Sequence, residues 1–351
     1  MTATGHAERS SPRSGLVKLF LAGDVMTGRG IDQVLPHPGD PTLYESYLRS
    51  AKDYVQLAET ANGPIPAPVP FSYVWGDALE DLNRWRPDKR IVNLETAVTQ
   101  AGRPAPKGIN YRMNPANVPV LSAAKIDCCV LANNHLLDWG EAGLLDTLRA
   151  LDRLGIARTG AGADLPEATA PAELPLRDGG RVLVYGYGSS TSGIPGAWAA
   201  TKWRSGVNLL PDLSPGTVAQ VAARVDSARR TGDIVVVSVH WGLNWGYEIA
   251  DEDVAFAHAL VDEAGVDLVH GHSSHHPKAI EVYRGKPIFY GCGDFLNDYE
   301  GIGGFEAFRG DLSLAYYPMI DTARKTLCRL DIVPYQIRNF RLNRTSDPDT
   351  A

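Results

Sequence analysis

The sequence predicts a layered α/β fold, and three observations point to it. Short apolar runs with strand character alternate with amphipathic segments of helical length along most of the chain. Several of the apolar runs end in Asp, Glu, Asn or His, as strands do where they face a ligand site. With 351 residues, of which 44% are hydrophobic and 21% are charged, the chain is long enough to bury a large core.

Amphipathic segments mark the helices. Residues 141–154 give the clearest case, because leucines recur there at the spacing of one helical face. A proline-rich connector at 63–70 separates the first two helical segments. The predicted helices cover residues 41–61, 72–85, 116–124, 141–154, 216–230 and 252–264.

Apolar and β-branched runs between turn signals mark the strands. The runs IEVY and KPIFYG are expected to pair, and LSLAYYPMI with TLCRLDIVPY is expected to form a closing hairpin. The strand RVLVYGYG precedes a long loop at 189–208. Five further strands are predicted to finish in polar side chains, in the runs LVKLFLAGD, RIVNLE, DCCVLANNH, DIVVVSVH and VDLVHGH.

The polar side chains at these five strand ends are candidates for one functional site. In open α/β sheets, side chains beyond the carboxyl ends of the strands converge on one crevice. Taken singly, a helix or turn cap would explain Asp24 or Asn134, and burial in the core would explain His240. The repetition at five strand ends favours a shared site. Its candidates in the first four runs are Asp24, Asn93, Glu95, Asn133, Asn134, His135 and His240.

The fifth strand end carries a cluster of histidines. Four of the nine histidines, His270, His272, His275 and His276, fall within seven residues of the segment VDLVHGHSSHHP. Imidazole is the commonest protein ligand for transition metals and the usual proton carrier near neutral pH. A polar loop without a special role is the alternative, but the other strand ends favour a metal or acid–base site.

Composition excludes several classes of function. The formal net charge of −7 and the absence of a Lys/Arg-rich run argue against a nucleic-acid partner. No stretch approaches the roughly 18 apolar residues of a membrane span, and the first residues lack the apolar core of a signal peptide. We therefore expect a cytoplasmic protein with no membrane partner. The four cysteines suggest buried free thiols rather than a disulfide framework.

The chain divides into one domain and two tails. Residues 1–15 are polar and are expected to be disordered, and residues 341–351 are expected to form a loose C-terminal tail. Residues 16–340 are expected to form the single domain.

Five motifs carry a resemblance to a known family. The segments GDVMTGRG (23–30), NLET (93–96), ANNHLLDWG (132–140), VSVHWG (237–242) and GHSSHHP (271–277) resemble the CapA-like proteins, first named for polyglutamate capsule synthesis. These belong to the calcineurin-like metallophosphoesterase superfamily. The resemblance runs in order from about residue 16 to about residue 300. It implies an α/β fold of the metallophosphoesterase type. This fold is a four-layer α/β/β/α sandwich, with two sheets face to face and helices outside.

The resemblance also implies a centre for two divalent metal ions, with Mn, Fe, Zn or Ca as the candidates. By position, Asp24 resembles a ligand of one metal, and Glu95 stands where a bridging Asp is usual. Asn134, His240 and His272 resemble ligands of the other metal.

The chain departs from the parent pattern at the first metal. Met26 stands where the parent motif has a histidine, so that metal lacks a nitrogen ligand. His275 is either its replacement or a free acid/base group. His276 and Asp294 are additional candidates for the site.

The altered ligand set leads to a hypothesis about chemistry. Two divalent cations can stabilise an enolate, and His135 with His275 would then act as opposed catalytic acid/base groups. The chain resembles the unanchored lasso-peptide epimerases among CapA-like proteins. That resemblance implies a metal-dependent epimerase (an isomerase) that inverts the α-carbon of the C-terminal residue of a ribosomally made lasso precursor peptide. Trp198, Trp203, Trp241, Trp245 and Tyr247 would then line the rim of the site, with core packing as their alternative role.

Two other functions remain open. One is a metal-dependent phosphoesterase or a poly-γ-glutamate (capsule)-related CapA-type enzyme. The other is a non-catalytic binding protein, which failure to bind any metal would indicate.

Overall fold

Two large β-sheets lie face to face in the computed structural model, which describes residues 15–350. The strands are β1 (Leu16–Val25), β2 (Lys89–Leu94), β3 (Ala97–Val98), β4 (Arg112–Met113), β5 (Cys128–Val130), β6 (Ala157–Thr159), β7 (Ala161–Gly162), β8 (Ala172–Pro175), β9 (Arg181–Gly188), β10 (Gly206–Val207), β11 (Ile234–His240), β12 (Leu268–His272), β13 (Ile280–Tyr283), β14 (Lys286–Phe289), β15 (Asp294–Leu296), β16 (Leu312–Asp321), β17 (Thr326–Arg338) and β18 (Arg341–Arg344).

Helices connect the strands, and most of them lie on the outer faces of the two large sheets. They are α1 (Arg29–Val34), α2 (Ala51–Asn62), α3 (Ala78–Trp85), α4 (Pro119–Ala123), α5 (Gly140–Leu154), α6 (Leu165–Thr169), α7 (Pro215–Ala228), α8 (Asp251–Asp262) and α9 (Asp347–Thr350). Short 3₁₀ turns lie at Tyr73–Trp75, Pro115–Asn117, Ser190–Ser192, Gly196–Trp198 and Glu306–Phe308.

Each large sheet has a parallel centre. The first sheet has the order β18-β17-β16-β1-β2-β5-β6, and β15 also pairs with β1. In this sheet β1, β2, β5 and β6 run parallel. The second sheet has the order β13-β14-β12-β11-β9-β8, with β9, β11, β12 and β14 parallel. The parallel ends of both sheets therefore present their polar residues along an edge, as the sequence predicted.

Along a strand, successive side chains point alternately into the space between the sheets and toward the outer helices. In β1, Leu19 and Leu21 pack between the two sheets, whereas Phe20 and Ala22 belong to the cluster formed with helices α1 to α5. The outer face of the second sheet packs on α7 and α8. The order is thus helices, sheet, sheet, helices, which confirms the predicted four-layer α/β/β/α sandwich.

Strand register aligns several of the predicted site residues. Asp24 lies opposite Asn93 on β2 and opposite Asp294 on β15. In the second sheet, His240 lies opposite His272. Because these pairs sit at strand ends, the backbone alone brings them to the same region.

Two predicted helices differ from the structure at their N-terminal ends. The helix predicted over 41–61 begins only at Ala51, since Ser50 and Asp53 form a capping box there. The helix predicted over 72–85 is divided at Gly76, which has φ +44°. A Cβ at Gly76 would lie 2.0 Å from the carbonyl oxygen of Leu342, so this close approach requires glycine.

The domain extends beyond the predicted boundary at residue 340. Residues 341–344, which we expected to be part of a loose tail, form β18 and pair antiparallel with β17. Arg344 also forms an ion pair with Asp81 at 2.9 Å. The predicted disordered segment 1–15 lies, apart from Gly15, outside the described residues.

Two further predictions concern membranes and thiols. Within residues 15–350, every helix is too short or too polar to cross a membrane. Cys128, Cys129 and Cys292 are buried free thiols, as predicted, while Cys328 is free and exposed.

Candidate metal centre

Asp24 lies at the middle of the centre, fully buried at the end of β1. One carboxylate oxygen accepts a hydrogen bond from Asn93 Nδ2 at 2.7 Å, and the other accepts one from the Ser273 N–H at 3.2 Å. Ser273 has φ +107°, a conformation that is costly for a residue with a side chain. This strained backbone turns the loop after β12 back toward Asp24.

Three buried residues form a first donor group. Ligand atoms of Asp24, His240 and His272 all lie within 4.8 Å of one another. The two Nδ1 atoms of His240 and His272 are 2.8 Å apart, and Asn134 Oδ1 lies 3.1 Å from His240 Nε2. The structure therefore brings Asp24, the predicted ligand of one metal, together with Asn134, His240 and His272, the predicted ligands of the other. His270 has another role, since its Nε2 donates to the Ala22 carbonyl and connects the two sheets.

A second donor group shares Asp24 with the first. It contains Asp24, His275 and Asp294, again with ligand atoms within 4.8 Å of one another. His275 Nδ1 lies 2.9 Å from Asp294 Oδ1. Met26 is buried beside this group, and its sulfur accepts a hydrogen bond from the Tyr299 hydroxyl at 3.6 Å. His275 and Asp294 thus supply donors that Met26 cannot.

Glu95 lies between His135, the predicted acid/base group, and His240, a predicted metal ligand. Its Oε1 is 3.7 Å from His135 Nε2 and 3.9 Å from His240 Nε2. Its Oε2 is buried and has no hydrogen-bond partner among the described residues. A buried carboxylate oxygen without a partner is costly, and a cation would satisfy it. Asp24, rather than the predicted bridging residue Glu95, belongs to both three-residue groups.

The electrostatics of the centre favour bound cations. Burial, together with the charge of Asp294, raises the pKa of Asp24 to about 7. Burial and the charge of Asp24 raise the pKa of Glu95 well above its usual range. Burial lowers the pKa of His240 and of His272 well below the usual histidine value, so both rings are neutral, as metal ligands must be.

The residues present fit two divalent cations. Carboxylate, amide and neutral imidazole donors together suit Mn, Fe or Zn. One cation would be held by Asp24, His240, His272 and Asn134, and the other by Asp24, His275 and Asp294. When bound, such cations polarise a substrate oxygen and stabilise negative charge that develops on it.

His135 lies beside both groups but belongs to neither. Its Nδ1 is 2.6 Å from Asp138 Oδ2, and Lys107 forms an ion pair with Asp138 Oδ1 at 2.7 Å. Burial, and after it the charge of Lys107, lowers the pKa of His135 well below its usual value. A neutral ring that donates from Nδ1 to Asp138 leaves Nε2, on the side of Glu95, able to accept a proton.

His276 orders the loop and does not face the donor groups. Its Nε2 accepts from the Gly246 N–H at 3.1 Å, and its Nδ1 donates to the Pro277 carbonyl at 3.1 Å. Both ring nitrogens are occupied by backbone, so the structure places His276, an additional ligand candidate, outside the two donor groups. Asp294, the other additional candidate, lies in the second donor group.

The predicted aromatic rim is only partly present. Trp241 is buried and donates its indole N–H to the Tyr290 carbonyl at 2.9 Å. Trp203 is 85% exposed, while Trp198 lies against Lys107. Trp245 packs against the rings of His275 and His276, and Tyr247 packs against the ring of His276.

The substitution Trp241→Phe tests whether Trp241 packs in the core or serves the site. The substitution removes one buried hydrogen bond and is expected to lower the free energy of unfolding by about 1 kcal/mol, without changing turnover. Denaturant unfolding measures the first effect, with Trp203→Phe as the exposed control. A loss of turnover at unchanged stability would show that Trp241 serves the site.

A cavity of about 610 Å³ opens beside the centre. His275 and Asn244 form part of its wall, and Asn244 Nδ2 lies 3.1 Å from His275 Nε2. Sequence reasoning missed this cavity and also missed Lys107 and Asp138. The motif His-Leu-Leu-Asp offered one signal for Asp138, because it lies three residues after His135.

The structure thus defines a class of protein: a layered α/β fold that carries a candidate centre for two cations. The chain belongs to the family described as bacterial capsule synthesis protein PGA_cap, whose pattern matches residues 18–299.

Several relatives cover most of the chain. A probable polyglutamine synthesis accessory protein of Mycobacterium tuberculosis is 51% identical over 337 residues, covering 95% of this chain and 88% of the relative. The capsule biosynthesis protein CapA of Bacillus anthracis is 25% identical, over 91% of this chain and 67% of its own length. The PGA biosynthesis protein CapA of Bacillus subtilis is 27% identical, over 79% of this chain and 62% of its own.

One solved structure, described as a novel phosphatase from Mycoplasma pneumoniae, aligns over 94% of this chain and 95% of its own. Its sequence identity is 11% and the TM-score is 0.49.

Proposed function

We propose that the protein is a divalent-metal-dependent enzyme that acts on the amide linkages of a glutamate- or glutamine-based polymer during its synthesis. The observation that carries this proposal is the pair of donor groups sharing Asp24, with His275 in the wall of a large cavity. The family and the polymer-related names of the relatives support the substrate class.

The lining of the cavity favours an amide-linked chain over a phosphate ester. Its walls contain aromatic rings and side-chain amides, and its three arginines, of which Arg29 and Arg309 form ion pairs, are equal in number to its acidic residues. A phosphate ester would have to be held by the two cations alone, because the side chains of the cavity wall add no excess of positive charge. Metal-dependent phosphodiester cleavage therefore becomes the second outcome to test.

The chain's own residues can move the proton that hydrolysis requires. The Nε2 of His135 accepts a proton from the attacking water, whose oxygen bonds to the carbonyl carbon. The same nitrogen then gives that proton to the leaving nitrogen as the carbon–nitrogen bond breaks. Asp138 holds the ring through Nδ1, and Lys107 holds Asp138 in turn. The ring thus ends in its starting state.

The epimerase hypothesis gains no support. The relatives named above are described by capsule, polyglutamate or polyglutamine synthesis, and none of these names concerns a peptide epimerase. His275, which was to be one of the two acid/base groups, lies with Asp24 and Asp294 in a donor group. Its partner Asp294 raises the pKa of His275 even though burial acts in the opposite direction. The ring of His275 therefore holds its proton more tightly than a free histidine, and a cation bound by this donor group would have to displace that proton.

A chelator experiment tests the proposal. Protein stripped of metal should not cleave poly-γ-glutamate, and added Mn²⁺ should restore the cleavage, read as the appearance of free amino groups. Full cleavage by the stripped protein would overturn the proposal. Metal-dependent hydrolysis of a generic phosphodiester without amide cleavage would favour the phosphoesterase. Deuterium entering an α-carbon of a peptide in deuterated water, with no bond broken, would instead favour the epimerase.

A further inference from the structure

The cavity lies between two parts of the chain that are distant in sequence. Its wall is formed by residues 297–311, which follow β15, and by residues 336–338 at the end of β17. Asn244, Trp245 and His275 close it on the side of the donor groups. A volume of about 610 Å³ is in the middle of the range for pockets that enclose drug-sized ligands, so it has room for more than one amino-acid residue.

Aromatic rings make one wall flat. Trp245 stacks on Phe305 with ring centres 4.1 Å apart and planes at 7°. The same indole lies 5.3 Å from the ring of His275. Such a surface suits the methylene groups and planar amides of a polymer chain.

Nearly all charged groups in the cavity wall are already paired. Arg29 is buried and bonds Glu45 and Asp298, and Arg309 bonds Asp311. Glu300 accepts hydrogen bonds from Asn62 and from the N–H groups of residues 339 and 340. These groups hold the wall together and are not free to bind a substrate charge.

Arg338 is the exception in this wall. Its side chain is exposed and forms no hydrogen bond or ion pair within residues 15–350, although its charge acts on Glu300. A guanidinium in this state can receive a carboxylate through two parallel hydrogen bonds. Within residues 15–350, Arg338 is thus the one unpaired cation of the cavity wall, and His275 of the second donor group lies in the same wall.

We infer that the cavity binds several consecutive residues of an anionic, amide-linked chain, with one side-chain carboxylate on Arg338 and the reacting amide beside His275. This inference rests on the proposed function and names the substrate class more narrowly, because a neutral polyglutamine chain has no carboxylate to offer Arg338. The stacked Trp245 and Phe305 contact the intervening methylene groups.

Arg338→Gln tests the carboxylate contact. Binding of fluorescein-labelled penta-γ-glutamate is measured by anisotropy with the Mn²⁺-loaded full chain, in which His135→Asn keeps the probe intact. Loss of one charge-assisted hydrogen-bonded pair is expected to weaken binding about tenfold. Labelled pentaglutamine should bind equally to the proteins with and without the Arg338→Gln substitution, and Arg338→Lys should recover part of the affinity for penta-γ-glutamate.

Arg329→Gln is the matched control, because Arg329 lies on the same strand, is exposed, and lines no part of the cavity. It should leave binding unchanged. Equal affinity for penta-γ-glutamate in the Arg338→Gln and Arg329→Gln proteins would overturn the inference.

Gly310→Leu tests the cavity itself. A Cβ at Gly310 would meet only the ring of Trp245, at 4.0 Å, so a leucine can enter the cavity without a backbone clash. Binding of either oligomer should fall, whereas Gly216→Leu, at an exposed position in α7, should have no effect. Unchanged binding in Gly310→Leu would place the chain elsewhere. Binding that depends on Arg338 without any metal-dependent cleavage would leave this inference standing while the proposed function fails.

Discussion

Replacing Asp24 by Ala is expected to remove both cations and all measurable turnover. Asp24 belongs to both donor groups, so its loss removes a ligand from each cation at once. Losing a group that only orients a ligand already costs about 10- to 100-fold in metal affinity, and loss of the shared ligand should cost more. Metal content per chain, measured by mass spectrometry of the dialysed protein, gives the result directly.

Single replacements in the two groups provide the matched comparison. His272→Ala should remove one cation and Asp294→Ala the other, while Asp24→Ala should remove both. Retention of both cations in Asp24→Ala would refute the shared-ligand geometry. Loss of the same cation in His272→Ala and Asp294→Ala would mean that the two groups form one site.

Asp24→Asn separates loss of metal from loss of fold. The amide removes a buried negative charge from beside Glu95 and Asp294, so the metal-free variant should be at least as stable as metal-free wild type. Added Mn²⁺ should raise the melting temperature of the wild type but not of the variant, because only the former binds it in its folded state.

Much of this centre could be predicted from the polar residues that end the apolar runs of the sequence. A parallel sheet aligns strand ends, so Asp24 meets Asn93 and His240 meets His272 by register alone. The pattern of the runs also predicted strands buried on both faces, since such strands are apolar along their length, while their arrangement in two sheets was implied by the family resemblance. These features depend on local sequence and could be predicted from it.

The second donor group depends on contacts that local sequence does not show. Asp294 reaches Asp24 through β15, a strand of three residues that is too short to give a periodic signal. His275 and His276 are neighbours, and only the backbone bend at Ser273 and the surrounding hydrogen bonds decide which of them faces Asp24. The sequence therefore left both histidines as candidates.

The cavity could not be predicted for a similar reason. Most of its wall comes from residues 297–311, from 336–338 and from Trp245, which carry no motif, while the motif residues Arg29 and His275 contribute part of the rest. The strand β18, which we expected to be loose, pairs with β17 directly after the cavity wall. Long-range packing of this kind leaves no periodic pattern in the sequence.

His135→Asn is expected to lower kcat by about 10²- to 10⁴-fold, the usual contribution of a positioned acid/base group, while both cations stay bound. The expectation follows from the geometry, since His135 lies beside Glu95 but in neither donor group. Asp138→Asn should lower kcat as well, because an amide can no longer hold the ring with its proton on Nδ1. Turnover of poly-γ-glutamate and metal content are measured on the same samples.

His258→Asn gives the matched control for this substitution, because His258 lies outside the centre, where it bonds Glu281 and stacks on Tyr283. It should leave both kcat and metal content unchanged. A fall in metal content in His135→Asn would make His135 a ligand and would remove the proton carrier from the proposed reaction. Retained metal with an unchanged kcat would show that the proton moves through another group. Only loss of turnover with both cations retained assigns the proton transfer to His135, held in place by Asp138 and Lys107.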